Sequence, residues 1–337
     1  MSNTDTESQS GVVLAADLGG TNLRAATVDY EGNIGVRVKQ PTPQSPRDAS
    51  EIVQALVLAA RECESKIQRR GGSIRAASVV VPGTVDISGE TVVQAPNVPS
   101  LDGFRLGEAL KEELGWPTLL ENDANAAAVG ELWMGAARGC RTIVCVTLGT
   151  GVGGGVILDG KLWRGADGSA GELGHTTVEP FGGLRCKCGN TGCLELFASA
   201  TAIVRLTREA LPDYPDTVLD AGRLTSEGIY EAGMKGDALA LAVLTKMGTY
   251  LGAGLSNVVN LLNPEMIVVG GGVANGWQLF GKYTRSEVER RAFPVAVRRL
   301  KIEPAKCGDD AGLLGAARLA FFGNDANLQN SESLPSL

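Results

Sequence analysis

Histidine is almost absent: the 337-residue chain holds one, His175. An excess of positive charge is absent too. Lys and Arg number 31 against 38 Asp and Glu, a net charge of −7, and no basic run stands out. Phosphate-backbone binding draws on clustered cations, so non-specific nucleic-acid or acidic-membrane binding is not expected. No stretch approaches about 18 uninterrupted apolar residues, and the first ten residues are polar, with no apolar signal core. A soluble, cytoplasmic protein with reduced thiols is therefore expected. No G-x-x-x-x-G-K-[ST] run occurs, so nothing supports a Walker-type nucleotide site.

What is present is concentrated. Hydrophobic residues make up 44% of the chain, ample for a large core in one or two domains. His175 is followed by Cys186, Cys188 and Cys193, an H-x10-C-x-C-x4-C run holding three of the seven cysteines. Three thiolates and one imidazole fill a tetrahedral zinc shell, and a closed shell marks a structural site. The alternatives are a buried histidine beside unrelated thiols, or a disulfide. The cysteines at 63, 140, 145 and 307 are scattered and read as small buried hydrophobes.

Glycine is the compositional outlier, with 45 residues, roughly twice the usual share of about 7%. Three times an apolar, strand-like run enters a glycine turn: VVLAADLGGTN, TIVCVTLGTGVGGG and MIVVGGGVAN. In the first two the apolar run resumes, as in a hairpin. Such bends present successive N–H groups to an anion, although a plain tight hairpin has the same sequence. Gly149, Gly151 and Gly154 also match G-x-G-x-x-G, but a dinucleotide fingerprint needs a helix there and GVILDGKLW continues as a strand and a turn. The near-repeat of the first two turns about 130 residues apart suggests two related domains and a two-lobed α/β architecture with a cleft.

DLGGTN (17–22), the asparagine of APNVPSLDG, ENDANAAAVGE, LGTGVGGG, GELGH and CKCGNTGCLE occur in that order between about residues 12 and 320. Together they resemble the ROK family of sugar kinases, and within it the ATP-dependent glucokinases. The resemblance implies a two-lobed actin-like (ribonuclease-H-like) fold with sugar and nucleotide in the cleft. It implies transfer of the γ-phosphoryl group of Mg-ATP to the 6-hydroxyl of a hexose, with D-glucose first. N-acetylmannosamine, N-acetylglucosamine, mannose and fructose are alternatives. The implied lobes are 11–120 with 305–322, and 121–304; residues 1–10 and 323–337 are polar tails expected to be disordered. A homodimer, or a dimer of dimers, is implied as well.

Phosphoryl transfer needs a positioned hydroxyl, a proton acceptor, and donors with a metal for the phosphate oxygens. Asp123, between the TLLEND stretch and an alanine-rich helix, is the candidate base, although an acid there is also a common helix N-cap. Asp17 ends an apolar strand and is the candidate magnesium anchor, acting through water. Gly19, Gly20, Thr21 and Asn22 on one side, and Gly149, Thr150 and Gly151 on the other, are the candidate phosphate loops. Gly270, Gly271 and Gly272 would pass the adenosine. The resemblance places Asn97, Asn122, Asp123, Glu172, His175 and Glu195 around the hexose. Gly83 is either a backbone contact to the sugar or a simple turn. His175 would bind zinc through one ring nitrogen and a sugar hydroxyl through the other. A non-catalytic ROK-type sugar sensor is the rival reading; it is expected to need an N-terminal helix-turn-helix, and the first strand begins at about residue 12. Helical periodicity marks 51–70, 105–115, 124–137, 237–262 and 309–322, the fourth interrupted by Gly248, Gly252 and Gly254.

Overall fold

Runs that are apolar on both faces become central strands here, and alternating runs become edges. A computed structural model describes residues 11–44 and 48–323. The polar tails at 1–10 and 323–337 lie, apart from Gly323, outside the described residues. In chain order the elements are β1 (Val12–Leu18), β2 (Asn22–Val28), β3 (Ile34–Pro41), α1 (Ala49–Gln68), β4 (Ile74–Val81), β5 (Thr84–Val85), β6 (Val92–Gln94), α2 (Leu106–Leu114), β7 (Thr118–Asn122) and α3 (Asp123–Trp133). Then come β8 (Ile143–Leu148), β9 (Val152–Leu158), β10 (Lys161–Leu162), α4 (Glu195–Ala198), α5 (Ala200–Ala210), α6 (Ser226–Met234) and α7 (Ala238–Leu262). β11 (Met266–Gly270), α8 (Trp277–Arg291), α9 (Pro294–Val297), β12 (Lys301–Pro304) and α10 (Ala311–Phe322) complete the fold.

Two five-stranded sheets carry one topology twice: β3-β2-β1-β4-β7 and β10-β9-β8-β11-β12. In the first, β1 runs antiparallel to β2 and parallel to β4, which is parallel to β7. In the second, β11 is parallel to both β8 and β12. β3 alternates, with Val36 and Val38 turned inward, as an edge strand with one wet face should. α1 is capped by Asp48, whose side chain accepts from the Ser50 N–H, and buries Ile52, Leu56, Ala59, Cys63 and Ile67 along one stripe. Cys63 and Cys145 are buried small hydrophobes as expected, whereas Cys140 and Cys307 are only half-buried.

The chain divides into two units. The first comprises residues 1–141, 155–170 and 309–337, the second 142–154 and 171–308. This division differs from the boundary expected at residue 120. β7 pairs with β4 and α3 packs on α10, so residues 121–141 belong with the first unit. In the second unit α7 is long and apolar enough to cross a membrane, by length and composition alone. It is instead a core helix, burying Leu244, Met247, Leu251 and Leu255. Its glycines are packing surfaces: a Cβ at Gly248 would lie 2.7 Å from the Phe280 carbonyl, and one at Gly252 2.6 Å from that of Thr284, both on α8.

Candidate active site

Open parallel sheets bind ligands beyond the carboxyl ends of their strands, and in each unit the glycine turns lie at such ends. In the first unit β1 delivers Asp17 and the glycine turn, β4 delivers Gly83, and β7 delivers Asn122 and Asp123. The cap of α3 is Asn122: its Oδ1 accepts from the N–H groups of Ala124 (2.9 Å) and Asn125 (3.0 Å). Its Nδ2 donates to the Gly83 carbonyl at 3.0 Å and to Asp123 Oδ1 at 3.1 Å. Both donors and both acceptor positions of this amide are thereby used, so its direct role is to cap the helix and hold the neighbouring carboxylate. Gly83 likewise serves as an acceptor within the turn. Asp123 is the first helical residue and stays exposed. Surrounding protein pushes its carboxyl pKa upward by desolvation, and the Asp17 charge pushes it further. The Ala124 N–H and the Asn122 amide pull it down.

Asp17 is matched by a protein cation. Arg24, its ladder partner on β2, donates Nη2 to Asp17 Oδ2, and Nη1 to the Asp309 carbonyl at 2.9 Å. The Asp17 side chain is 16% exposed. Arg24 thus supplies the cation that a carboxylate at the end of an apolar strand needs, and the partial exposure of Asp17 leaves room for a water-bridged contact to a magnesium ion as well. Beside it, Gly19, Gly20 and Thr21 form a loop whose three carbonyls are all engaged. Thr42 Oγ1 donates to Gly19 O (2.6 Å), Gln44 Nε2 to Gly20 O (3.1 Å) and Thr42 N to Thr21 O (3.0 Å). Among the described residues the N–H groups of Gly20 and Thr21 donate to no backbone carbonyl. Occupied acceptors beside available donors are the arrangement that an anion-binding loop needs. Asn22 opens β2, and its carbonyl accepts from Gly19 N at 3.0 Å, closing the turn. Asn97 is exposed in the Ala95–Val98 turn, which Asp102 fixes by accepting from Ala95 N at 2.7 Å.

The second unit repeats the device. The carbonyls of Gly149, Thr150 and Gly151 accept from Ala200 N (2.8 Å), Thr201 Oγ1 (2.9 Å) and Gly149 N (2.9 Å). The N–H groups of Thr150 and Gly151 donate to no backbone carbonyl among the described residues. Glu195, the first residue of α4, accepts from Val152 N at 3.0 Å, so its carboxylate tethers this loop. Gly270 ends β11, where it pairs with Thr147 of β8, and Gly271 and Gly272 follow it.

His175, Cys186, Cys188 and Cys193 converge, their ligand atoms all within 4.8 Å of one another. His175 Nδ1 is 3.7 Å from Cys186 Sγ, and the Sγ atoms of Cys188 and Cys193 are 3.7 Å apart. Zn–S bonds of about 2.3 Å at tetrahedral angles place two sulfurs about 3.8 Å apart, so this donor set fits zinc. Burial pushes the Cys193 thiol up to about 12, so an enclosed cation is what would make its thiolate tolerable. The loop folds back at Gly192, where φ is +72° and a Cβ would lie 1.8 Å from the Glu179 carbonyl. Leu173–His175 form a 3₁₀ turn entered from Glu172. Glu172 Oε2 lies 3.7 Å from His175 Nε2, the nitrogen turned away from the thiols.

Three residues with clear roles were not anticipated. Arg24 could have been read from hairpin register, because four residues between the paired Leu18 and Leu23 set Asp17 opposite residue 24. Glu121, buried directly behind Asn122, and Arg164, half-buried against it, carried no sequence signal: they are 43 residues apart.

One mixed sheet order used twice, with glycine turns and acids at the strand ends, defines the actin-like sugar-kinase fold. The ROK family glucokinase of Streptomyces griseus, solved with glucose and AMPPNP, matches with a TM-score of 0.78 and 35% identity, covering 92% of this chain and 99% of that one. The chain belongs to the ROK family, whose model matches residues 13–321. A glucokinase of Halalkalibacterium halodurans is 35% identical over 317 residues, 91% of this chain and 94% of the relative. The family also includes regulators. A ROK transcriptional regulator homologous to the E. coli MLC protein has a TM-score of 0.84 at 28% identity, covering 91% of this chain and 77% of that one.

Proposed function

We propose that this protein is an ATP-dependent hexokinase acting on D-glucose, with Asp123 as the general base. The observation that carries the reading is the division of labour at the end of β7. Asn122 caps α3, which leaves the Asp123 carboxylate exposed, oriented and raised in pKa. The Asp123 carboxylate takes the proton of the sugar 6-hydroxyl as that oxygen bonds the γ-phosphorus. The bond from the γ-phosphorus to the β–γ bridging oxygen breaks, and ADP departs with that electron pair. Gly20 and Thr21 in one loop, and Thr150 and Gly151 in the other, donate N–H groups to phosphate oxygens. Magnesium bound with the nucleotide would supply positive charge to those oxygens, and Asp17 is the residue that would hold it. Gly270–Gly272 lie along the adenosine.

Asn97, Glu172 and His175 bind hexose hydroxyls, and Glu195 adds to this while tethering the second loop. His175 Nδ1 and the three thiolates would hold a structural zinc. Held in that way, the imidazole would keep one tautomer, with Nε2, beside Glu172, left for a sugar hydroxyl. A sugar-responsive regulator is the second reading, favoured by the regulator of similar fold. An ADP-release assay with Mg-ATP against glucose, mannose, fructose, N-acetylglucosamine and N-acetylmannosamine separates the two. Magnesium-dependent turnover with glucose as the best acceptor is expected. Preference for an N-acetylhexosamine would reassign the substrate, and sugar binding without turnover in a zinc-loaded, folded sample would favour the regulator.

A further inference from the structure

We propose that Arg164, acting through Glu121, is a positioning residue that holds the Asn122–Asp123 pair in its working geometry; this rests on the reading of Asp123 as the base. Glu121 ends the buried part of β7, with 3% of its side chain exposed. Its two oxygens divide the work. Oε2 accepts from Arg164 Nε at 2.9 Å and from Nη2 at 2.5 Å. Oε1 accepts from the Asn122 N–H at 3.0 Å and from Asn125 Nδ2 at 2.9 Å. A chain of contacts thus runs from the Arg164 guanidinium to Glu121, to the Asn122 backbone, and through the Asn122 amide to Asp123 Oδ1.

Stability alone is a poor reason for the pair. Burying the Glu121 carboxylate against a half-buried guanidinium gives up hydration that a well-packed apolar pair would not need, and replacing such pairs is often neutral or stabilising. What the pair does supply is direction. The carboxylate can accept from Asn122 N only if its plane is held, and the two guanidinium donors hold it. Asn122 in turn has no donor or acceptor to spare, so a tilt at Glu121 is passed to Asp123 rather than absorbed. In this unit Asp17 from β1 opposes ionisation of Asp123 and has Arg24 of β2 against it; Glu121 and Arg164 lie behind the Asn122 link, and α10, packed on α3, carries Arg318 and follows Asp309 and Asp310. Loss of the Arg164 charge leaves Glu121 unmatched and adds a second anion to the one that already opposes ionisation of Asp123.

The test uses the full chain with Mg-ATP and glucose, measuring kcat, KM and their pH profiles for Arg164→Met and Arg164→Lys. In Arg164→Met, kcat is expected to fall about 10- to 100-fold, the loss that goes with a misplaced catalytic group. The KM for glucose should stay within about threefold of wild type, because the loss falls mainly on the transition state. The acid limb should move to higher pH. Arg164→Lys keeps the charge and is expected to keep the wild-type acid limb with only part of the kcat loss. Side-chain amide signals of Asn122 and Asn125 should lose exchange protection in Arg164→Met, a readout independent of turnover. If that variant does not fold, the double variant Glu121→Gln/Arg164→Met carries the test, with reduced kcat and no upward shift of the acid limb. A folded Arg164→Met or double variant with kcat within about twofold of wild type and protected amides overturns the proposal. Asp123→Asn is measured alongside. If it loses turnover while the Arg164 variants do not, the positioning role fails alone; if it keeps turnover, the base reading fails first and the positioning role with it.

Discussion

Replacing Asp123 by Asn should separate activity from stability, because the same features that make the carboxylate useful make it costly. In the fold its pKa is raised by desolvation and by Asp17. A raised carboxylate pKa means that the fold penalises the charged form. The penalty is absent below the unfolded-state pKa and fully present above the folded one. At pH 7 the wild-type protein therefore carries that penalty, and the near-isosteric amide relieves it. Two bonds are at risk, from Asn122 Nδ2 at 3.1 Å and from Ala124 N at 2.9 Å, both to Oδ1, and Asn offers an oxygen that can accept them. The melting temperature of Asp123→Asn should equal or exceed that of wild type at pH 7, with the difference vanishing toward pH 3. Turnover should fall by about 10²- to 10⁴-fold, the range for loss of a general base. That corresponds to about 2.7 to 5.4 kcal/mol of barrier. Scanning calorimetry at several pH values, the ADP-release assay and glucose titration calorimetry together read all three quantities. A variant that melts several degrees lower at pH 7, or keeps kcat within about threefold of wild type, would refute the account of Asp123.

The acid limb of kcat/KM should lie above the ordinary Asp value of about 3.9, since the base must be ionised to accept a proton and its pKa is raised; a limb at or below that value contradicts the raised carboxyl. Cys186→Ser should lose bound zinc, read by elemental analysis, and weaken glucose binding through an unfixed His175; unchanged glucose affinity in the metal-free variant would break that link. Glu195→Ala should raise the KM for ATP as well as for glucose, because the carboxylate tethers Val152 at the second glycine loop; an effect confined to glucose would leave the tether without consequence for the nucleotide. Gly252→Leu should lower the melting temperature by several degrees, since overpacking costs about 1–3 kcal/mol and the Thr284 carbonyl cannot retreat within α8; an unchanged melting curve would show that the helices part freely.

The hairpins and the metal cluster were legible because their information is local. Apolar runs broken by glycine fix β1–β2 and β8–β9, and the His175 to Cys193 run lies within one loop. The glycines of α7 looked like interruptions because their partners, Phe280 and Thr284, are more than thirty residues away. The capping of α3 was ambiguous for a different reason: Asn122 and Asp123 are both capping residue types, and only backbone geometry decides which one caps. Arg164 was out of reach, because a lone arginine after a short strand carries no mark of the buried Glu121 that it meets.

Duplication explains the placement of the chemistry better than either unit does alone. The position two residues before the glycine turn is Asp17 in the first unit and Thr147 in the second, so only the first unit has an acid there. The strand that closes the parallel run ends in Asn122–Asp123 in the first unit and in Pro304 in the second. Both acids therefore share one sheet edge, and Asp17 opposes the ionisation of Asp123. Two uncompensated carboxylates so close would favour protonation of one, as in a shared-proton dyad. Here the repulsion is offset from both sides, by Arg24 on Asp17 and by the Asn122 amide and Ala124 N–H on Asp123. The two acids can then take different roles, one toward a cation and one toward a proton. Arg24 matters to the second role as much as to the first: without it, the bare Asp17 charge would push Asp123 further toward the protonated form, in which it cannot act as a base.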